Sequence, residues 1–349
     1  MSSVSPLISV VIPTFNRARS VGSALRSVLG QSFRDFEIVV VDDHSADETD
    51  AVVVGMPPTP SNGPIRYIRL DRNRGANHAR NIGITSSRGA YVAFLDSDDI
   101  WHARKLDLQL KAIAAAGLAD NPVLCYSDRY RMDKDSIIFA YQKSGDLPHP
   151  RRRLQSANVI GTLSSVLVDR ATALDLGFNE GLPACQDWDF YLRAESRCRF
   201  LRVPLPLTSY SDGQASRISL NSRRRAQAHL QIYKWHLRGN TTRRERSELF
   251  RNLAEDFTAL HRQGLARRFY CAYLASRNRY LRALYFSLPI VGLPDILALR
   301  YANYARHPIL NPILDGSEIP MLDEFNAFMQ AERSAAAGLE REAGVLERA

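Results

Sequence analysis

The chain has 349 residues, of which 45% are hydrophobic and 24% are charged, so it is long enough for two domains and apolar enough to bury real cores. These proportions exclude disorder as the dominant state, and no uncharged apolar run reaches the roughly 20 residues of a membrane-spanning helix. The net charge of +9 is uneven, because residues 221–310 hold 17 Arg and Lys against 5 Asp and Glu.

Short β-branched runs alternate with helical periodicity at the start of the chain, which is the pattern of a parallel sheet with crossover helices. The predicted strands are Leu7–Ile12, Phe36–Val41, Ile65–Leu70 and Ala90–Leu95. The predicted helices are Ala18–Gly30, a short helix from Asp47, Gly75–Ser86 and Lys105–Gly117. The first hundred residues are therefore expected to form a doubly wound, Rossmann-like α/β unit.

Further along, the signal becomes mixed and then helical. Strands are predicted at Val123–Ser127 and Ser164–Val168, and a helix at Asp187–Glu195. We expect a first domain over residues 1–220, a basic helical region over 221–315 and an Ala/Glu-rich helical tail over 316–349. Helices in the basic region are predicted at Arg225–Leu237, Arg244–Gly264 and Leu265–Leu284.

The cysteines and the first residues indicate the compartment. The four cysteines form no Cys-x-x-Cys pair and have no histidine at metal-ligand spacing. The first 16 residues contain no basic segment and two prolines, so they do not predict a signal peptide. We expect a cytoplasmic protein with reduced thiols, peripheral on the membrane face if its basic region binds lipid.

Polar residues follow three of the predicted strands, at Pro13–Arg17, Asp42–Ser45 and Asp96–Asp99. Ligands of open parallel sheets bind at the carboxyl ends of the strands, so these segments are expected to meet at one site.

Asp96 and Asp98 are two residues apart, so in an extended segment their carboxylates point to the same side. That arrangement suits Mg²⁺ or Mn²⁺ bound together with a diphosphate. The alternative is that Asp98 or Asp99 caps the helix after Trp101. We assign the capping role to Asp99 and the metal to Asp98.

Nucleotide recognition needs a ring and a hydrogen-bond acceptor. Phe15 offers the ring, and Asp42 can accept the imide N–H of uracil or thymine, which disfavours cytidine nucleotides. The alternative is that Asp42 and Asp43 only hydrogen-bond the turn at Ser45. Arg80 either reaches the phosphates or forms a buried ion pair with an aspartate.

Four segments together resemble family 2 inverting glycosyltransferases of the GT-A fold, and the similarity extends to about residue 220. They are Val10–Arg17, Val40–Ser45, Asn73–Gly83 and Phe94–Trp101. The resemblance implies a mostly parallel, Rossmann-like sheet flanked by helices, followed here by a C-terminal helical region. It implies metal-ligand Asp98 and nucleotide-binding residues Pro13, Phe15, Asp42, Asp43, Arg80 and Asp96.

The resemblance also implies a catalytic base. In the family this is the aspartate of a Glu-Asp pair at the start of a late helix, which places it on Asp187, with Gln186 where the glutamate would be. Asp189 is the second choice. Many family members have a histidine near the position of Tyr210, and it is missing here. Either Arg217 contacts the phosphate in its place, or the metal is bound more weakly. Residues 161–165 resemble the family segment that lines the acceptor side of the site.

The implied function is transfer of a sugar from a nucleoside-diphosphate sugar, with UDP favoured and dTDP next, to a glycan, lipid-linked or polysaccharide hydroxyl. A catalytically impaired GT-A scaffold and a nucleotidyltransferase are the alternatives, although residues 13–17 lack the glycines of the latter. The basic region predicts either an anionic membrane surface as partner or an ordinary solvated face. Its aromatics are spaced as helix core, which disfavours nucleic acid.

Overall fold

The computed structural model describes residues 5–59, 65–133, 137–144, 150–211, 221–239, 241–242, 246–277 and 310–312. Its strands are β1 (Ile8–Thr14), β2 (Phe36–Asp42), β3 (Arg66–Arg69), β4 (Tyr91–Phe94), β5 (Ile100–Trp101), β6 (Val123–Met132), β7 (Ile138–Gln142), β8 (Val166–Asp169), β9 (Arg199–Ser211) and β10 (Leu310–Pro312). Its helices are α1 (Val21–Leu29), α2 (Thr49–Val54), α3 (Ala76–Ser86), α4 (Lys105–Ala115), α5 (Pro150–Ser156), α6 (Arg170–Leu176), α7 (Gln186–Ala194), α8 (Ser222–Ile232), α9 (Ser247–Ala259) and α10 (Gln263–Arg277). A 3-10 turn covers Leu163–Ser165, and a π-helical turn, Tyr233–Leu237, continues α8.

The strands form one sheet in the order β3-β2-β1-β4-β8-β6-β7-β10, with β9 beside β6 and β5. The strands β1, β2, β3 and β4 are mutually parallel. Strand β8 is antiparallel to β4 and β6, whereas β9 is parallel to β6. The predicted α/β class is therefore confirmed, and β1, β2 and β4 end at the same edge of the sheet.

The central strand β1 is buried on both faces along its whole length. Ile8, Val10 and Ile12 face a core that α1 and α4 close, whereas Val11 faces a second core with side chains from α3, α6 and α7. Burial on both faces explains why this strand is mostly apolar, interrupted by Ser9, instead of alternating between apolar and polar residues. Polar side chains are thereby confined to the strand ends.

Helix α3 packs directly on β1 because Gly83 has no side chain. A Cβ atom at Gly83 would lie 2.3 Å from Val11 Cγ1. The helix begins after Gly75, whose φ of 93° lies in the left-handed region that favours glycine. This packing fixes the amino-terminal half of α3, including Arg80, against the sheet.

Most of the predicted elements are confirmed, with ends that differ by a few residues. The sequence analysis missed β5, β7, β10, α5 and α6, and it missed the 13-residue strand β9. Strand β9 contains Pro204 and Pro206, and its pairing with β6 shifts register at these residues. Proline has no backbone N–H to donate to a neighbouring strand, so two prolines in a segment argue against a strand when only the sequence is considered. The predicted tail and residues 278–309 lie outside the described residues.

The helices after residue 220 share a core with α7. Trp188 of α7 packs with Ile232, Leu249 and Leu253 of this region. Its indole N–H donates to the carbonyl of Leu154 at 2.6 Å.

A polar chain crosses the same contact between α7 and the later helices. Asp256 lies 2.8 Å from His229 Nδ1, and His229 Nε2 lies 3.5 Å from the sulfur of Cys185. Cys185 is the residue that precedes α7, and its φ of 56° is left-handed. Across the part of the chain that is described, no helix is long and apolar enough to cross a bilayer.

Candidate active site

The loops after β1 and β2 are joined by hydrogen bonds. The backbone N–H of Asn16 donates to Ser45 Oγ at 2.8 Å, and Ala46 N–H donates to Asn16 Oδ1 at 2.8 Å. Asn16 has a φ of 51°, a left-handed conformation that asparagine tolerates. Phe15 stands 41% exposed in this loop, so its ring is open to stacking.

Asp42 lies at the end of β2 and is fully buried. Its Oδ1 accepts hydrogen bonds from the backbone N–H and the hydroxyl of Ser45, at 2.9 and 2.6 Å. Its Oδ2 accepts from the Tyr67 hydroxyl. The turn contact that the sequence offered as the alternative is therefore present, and recognition of a base by Asp42 stays a prediction.

Asp43 fastens the start of α3 to the end of β2. Its two oxygens accept the backbone N–H groups of Arg74 and Gly75, each at 2.7 Å. Both carboxylate oxygens are thus engaged with the backbone. A nucleotide contact for Asp43 stays a prediction beside this structural role.

Arg80 of α3 reaches the end of β4. Its Nη2 donates to Asp96 Oδ1 at 2.7 Å, and its guanidinium lies 5.5 Å from the centre of the Phe178 ring. The other two nitrogens, Nε and Nη1, are buried and have no hydrogen-bond partner among the described residues. The ion pair with an aspartate is therefore present, and two donors remain for a ligand.

The segment after β4 gathers three carboxylates. Asp98 Oδ2 lies 4.0 Å from Arg17 Nε, which brings the loop after β1 to the same place. Asp99 is buried and accepts the backbone N–H of Ser211 at 3.0 Å. Burial, and then the charges of Asp98 and Asp96, raise the pKa of Asp99 well above its usual range. Negative charge is therefore concentrated at this strand end.

The expectation that Asp99 caps the helix after Trp101 is wrong. That helix begins at Lys105 with Arg104 at the capping position, and β5 separates it from Asp99. Asp99 instead accepts a hydrogen bond from the Thr162 hydroxyl at 3.3 Å. It joins the end of β4 to the 3-10 turn and to β9.

Asp187 lies in the first turn of α7. Its Oδ1 accepts the Trp188 N–H at 2.8 Å, and its Oδ2 accepts from Asn158 Nδ2 at 2.7 Å. Burial raises the pKa of Asp187 to about 6, against the lowering effects of the Trp188 N–H, Arg80 and Asn158, while the charge of Asp96 raises it further. A helix amino terminus favours the ionised form of a carboxylate, but burial outweighs that effect at Asp187.

This pKa places Asp187 in the range of a general base. A base is most effective when its pKa lies near the working pH, because it is then ionised yet still able to accept a proton. Arg80 and Asp96 act on the same carboxylate, so the structure brings the late helix to the ends of the parallel strands. The catalytic role of Asp187 stays a prediction.

Asp189, the second choice for the base, is held by His236 and Arg193. His236 Nε2 lies 2.8 Å from its Oδ1, and Arg193 donates to its Oδ2 at 2.9 Å. Burial raises the pKa of Asp189, but the His236 hydrogen bond and the Arg193 charge more than offset it, so the net shift is downward. An aspartate held by two partners ties α7 to the later helices and is poorly placed to accept a proton.

Asp98, the predicted metal ligand, is a carboxylate of the type that a hard cation prefers, and Asp96 lies two residues before it. The side chain of Asp98 is 12% exposed, and that of Asp96 is also partly open. In the regions that the structure describes, no group of three or more His, Cys, Asp and Glu side chains is arranged around a metal. Mg²⁺ needs only one or two protein carboxylates, so the pair fits. Arg217 lies outside the described residues.

Pro13 is a predicted nucleotide-binding residue, whereas Arg17 and Asn158 received no role in the sequence analysis. Pro13 is buried in β1 beyond Val11, where pairing with β4 ends, so its missing N–H costs no hydrogen bond on that side. Arg17, in the loop after β1, lies close to Asp98, in the segment after β4. Asn158 contacts Asp187, and its only sequence signal is a glycine three residues later, typical of an Asx turn.

Comparisons with known proteins agree with this architecture. The family model described as "Glycosyl transferase family 2" matches residues 9–168. A UDP-Glc:alpha-D-GlcNAc-diphosphoundecaprenol beta-1,3-glucosyltransferase, WfgD of Escherichia coli, is 30% identical over 53% of this chain and 68% of the relative. The amylovoran biosynthesis glycosyltransferase AmsB of Erwinia amylovora is 29% identical over 58% of this chain and 68% of the relative.

Solved structures share the fold at low sequence identity. The crystal structure of S. aureus TarS residues 1–349 in complex with UDP-GlcNAc superposes with a TM-score of 0.55 at 17% identity, covering 94% of this chain and 92% of that chain. The mannosyltransferase PcManGT from Pyrobaculum calidifontis gives 0.51 at 20% identity, covering 94% and 86%. The predicted GT-A fold is confirmed. The chain belongs to glycosyltransferase family 2.

The two aspartates of α7 should have opposite effects on stability. The folded-state pKa of Asp187 is raised, so its ionisation disfavours the folded state above about pH 6. Asp187→Asn should therefore raise the melting temperature at neutral pH by about 2–4 °C, the effect of 1 kcal/mol in a domain of 150–250 residues. The gain should disappear as the pH falls toward 3.8, the ordinary value. Thermal melts by circular dichroism measure this.

The matched control is Asp189→Asn. The pKa of Asp189 is lowered, so its charge stabilises the fold at any pH above the ordinary aspartate pKa of 3.8. The free energy of unfolding of the variant should therefore fall by roughly 3–5 kcal/mol, as it does when one partner of a buried ion pair is removed. Equal melting temperatures for the two variants would contradict this division.

Proposed function

We propose that this glycosyltransferase moves a sugar from a nucleoside-diphosphate sugar, UDP-linked first and dTDP-linked next, to a hydroxyl of a glycan, lipid-linked or polysaccharide acceptor. The transfer inverts the anomeric carbon in a single displacement. Support comes from the E. coli relative, whose name gives UDP-Glc as donor and a diphosphoundecaprenol-linked sugar as acceptor. The amylovoran relative supports polysaccharide synthesis.

The nucleotide end of the donor would lie across the ends of β1 and β2. Phe15 supplies an exposed ring for stacking on the base. Asp42 would accept the base edge at Oδ2, in exchange for the hydrogen bond that this oxygen now accepts from the Tyr67 hydroxyl. A carboxylate accepts the imide N–H of uracil or thymine, which is the chemical reason for favouring UDP or dTDP.

The diphosphate would lie beside Arg80, Asp96 and Asp98. The unpartnered Nε and Nη1 of Arg80 suit anionic oxygens. Asp98 holds Mg²⁺ or Mn²⁺, with Asp96 beside it, and the cation when bound neutralises the charge that develops on the leaving diphosphate. Arg17, 4.0 Å from Asp98, adds positive charge at the same place.

The single observation that carries the proposal is the position of Asp187, partly buried beside the charges of Arg80 and Asp96 with a pKa of about 6. The acceptor oxygen bonds to the anomeric carbon while the bond from that carbon to the diphosphate oxygen breaks. The hydroxyl proton goes to Asp187, and the diphosphate leaves with the electron pair. A base on the face opposite the leaving group gives inversion.

Asp187→Asn should bind donor almost normally and transfer the sugar roughly 10²–10⁴-fold more slowly, because it removes the base without touching the diphosphate contacts. The wild-type rate should fall as the pH drops below about 6, where Asp187 becomes protonated. The measurement is nucleotide release from UDP-, dTDP- and GDP-sugars with Mn²⁺ or Mg²⁺, beside donor binding by calorimetry.

Asp189→Asn, assayed well below its melting temperature, is the control and should lose much less activity. If Asp189→Asn is the inactive variant, or Asp187→Asn keeps the wild-type rate, the base is assigned to the wrong carboxylate. If the wild type binds a donor but never turns it over, the impaired scaffold, which Gln186 in place of a glutamate favours, becomes the better explanation.

The metal assignment has its own test. Asp98→Asn keeps the shape of the side chain but removes its charge, so it should abolish metal-stimulated turnover, and EDTA should do the same to the wild type. Asp175→Asn changes an exposed aspartate far along the chain, paired with Arg197, and should leave the metal response intact. Full turnover in excess EDTA would contradict metal dependence.

We also propose that the basic helical region attaches to an anionic membrane surface, where lipid-linked acceptors reside. Residues 221–239 contain no Asp or Glu. Leu230 and Trp235 are 40% and 43% exposed among the exposed cations Arg223, Arg224, Lys234 and Arg238. Exposed apolar anchors ringed by cations are typical of interfacial helices. The predicted segment 280–288 lies outside the described residues.

Binding to phosphatidylglycerol vesicles should weaken with salt and with loss of the anchors. Each Lys or Arg near an anionic leaflet contributes about 1 kcal/mol. Trp235→Ser with Leu230→Ser should lower vesicle binding measured by sedimentation. Leu174→Ser changes an equally exposed leucine, 40%, on α6 and should not. Indifference to phosphatidylglycerol at low ionic strength would reject membrane attachment.

A further inference from the structure

Asn158 lies between α5 and the 3-10 turn and contacts Asp187 from outside its helix. We propose that Asn158 is a positioning residue that fixes the orientation of the Asp187 carboxylate and favours its ionised state; this rests on the proposed role of Asp187 as the base. Asn158 Nδ2 donates to Asp187 Oδ2 at 2.7 Å. The other oxygen, Oδ1, accepts from the neighbouring Trp188 N–H. The two contacts together set the rotation of the carboxylate.

The side-chain amide of Asn158 is itself held in one orientation by Gly161. Asn158 Oδ1 accepts the Gly161 N–H at 2.8 Å, and Nδ2 donates to the Gly161 carbonyl at 3.2 Å. A flipped amide would set N–H against N–H and oxygen against oxygen, losing both contacts. The Nδ2 donor is therefore aimed at Asp187 before any substrate arrives.

The backbone at Gly161 gives this amide a rigid support. Its φ of 98° is left-handed, and a Cβ there would lie 1.9 Å from Arg129 Nη1, so no other residue fits without movement. The Tyr191 hydroxyl donates to the Gly161 carbonyl at 3.2 Å, and Arg129 Nη1 donates to the Ile160 carbonyl at 2.6 Å. Helix α7 and strand β6 thus fix the support from two sides.

The charges around Asp187 decide the direction of the effect. Burial and Asp96 favour its protonated form, whereas Arg80 and the Asn158 amide favour the ionised form that a base requires. The titratable and charged groups that face it are Arg80, Asp96, Arg129, Tyr191 and Cys185. Without the Asn158 donor, the ionised form of Asp187 loses one of the contacts that stabilise it against burial and the charge of Asp96. Deprotonation of Asp187 should therefore need a higher pH.

The test is the pH profile of kcat in Asn158→Ala and Asn158→Asp. The assay is UDP release from UDP-glucose, or nucleotide release from whichever of the UDP-, dTDP- and GDP-sugars the wild type turns over. Asn158→Ala should lower the plateau about tenfold and move the acidic midpoint upward, with the donor KM unchanged. Asn158→Asp keeps the shape of the side chain and adds a second carboxylate beside Asp187. It should move the midpoint further, because like charges disfavour ionisation.

Two controls separate positioning from folding. Asn77→Ala removes a buried asparagine that donates to two backbone carbonyls, those of Asn179 and Leu182, and should leave the midpoint unchanged. Asn221→Asp makes the same chemical change as Asn158→Asp at the start of α8, where the side chain accepts from Arg224 N–H, and should also leave it unchanged.

Three outcomes would overturn the proposal, and they are distinguishable. A midpoint that stays at the wild-type value in both Asn158 variants overturns it even if the plateau falls, because a purely structural role lowers the plateau alone. A midpoint that moves equally in Asn77→Ala overturns it as well. If Asp187→Asn retains the wild-type acidic limb, the base assignment itself fails, and the role of Asn158 fails with it.

Discussion

The burial of β1 on both faces is the constraint from which the rest of the structure follows. In a strand enclosed by two cores a polar side chain needs a buried partner, as Ser9 has in Glu37, so hydrogen-bonding groups accumulate where the strand leaves the cores. Gly83 lets α3 lie against Val11, and this contact sets Arg80 over the end of β4. The binding edge is therefore a product of packing, and its charged groups are partly desolvated from the start.

Desolvation gives chemically identical side chains different properties. Asp187 and Asp189 lie two residues apart on α7, yet the pKa of one is raised and that of the other is lowered. The difference is in their partners, because Asp189 faces His236 and Arg193, whereas Asp187 faces one amide and a cation shared with Asp96. The same helix thus carries one aspartate held in an ion pair and one whose pKa is raised by burial.

Sequence analysis identified the parallel strands β1 to β4, the polar strand ends and the helix of Asp187, because these follow from local periodicity and from a recognisable order of motifs. It did not find the contacts that depend on residues distant in the chain. Aspartate commonly caps the start of a helix, but the hydrogen bonds of Asp99 with Thr162 and Ser211 determine its role here. Strand β9 is paired despite two prolines. Asn158 gives no signal in the sequence that names Asp187 as its partner, 29 residues away.

The core shared by Trp188 and the later helices has a consequence for modularity. Composition changes near residue 220, but the packing continues across that point, because Ile232, Leu249 and Leu253 cover the indole. A chain cut there would expose Trp188 to solvent. The helical region therefore forms part of the packing behind α7. Recombination between relatives can exchange it only together with the residues of α7 that it covers.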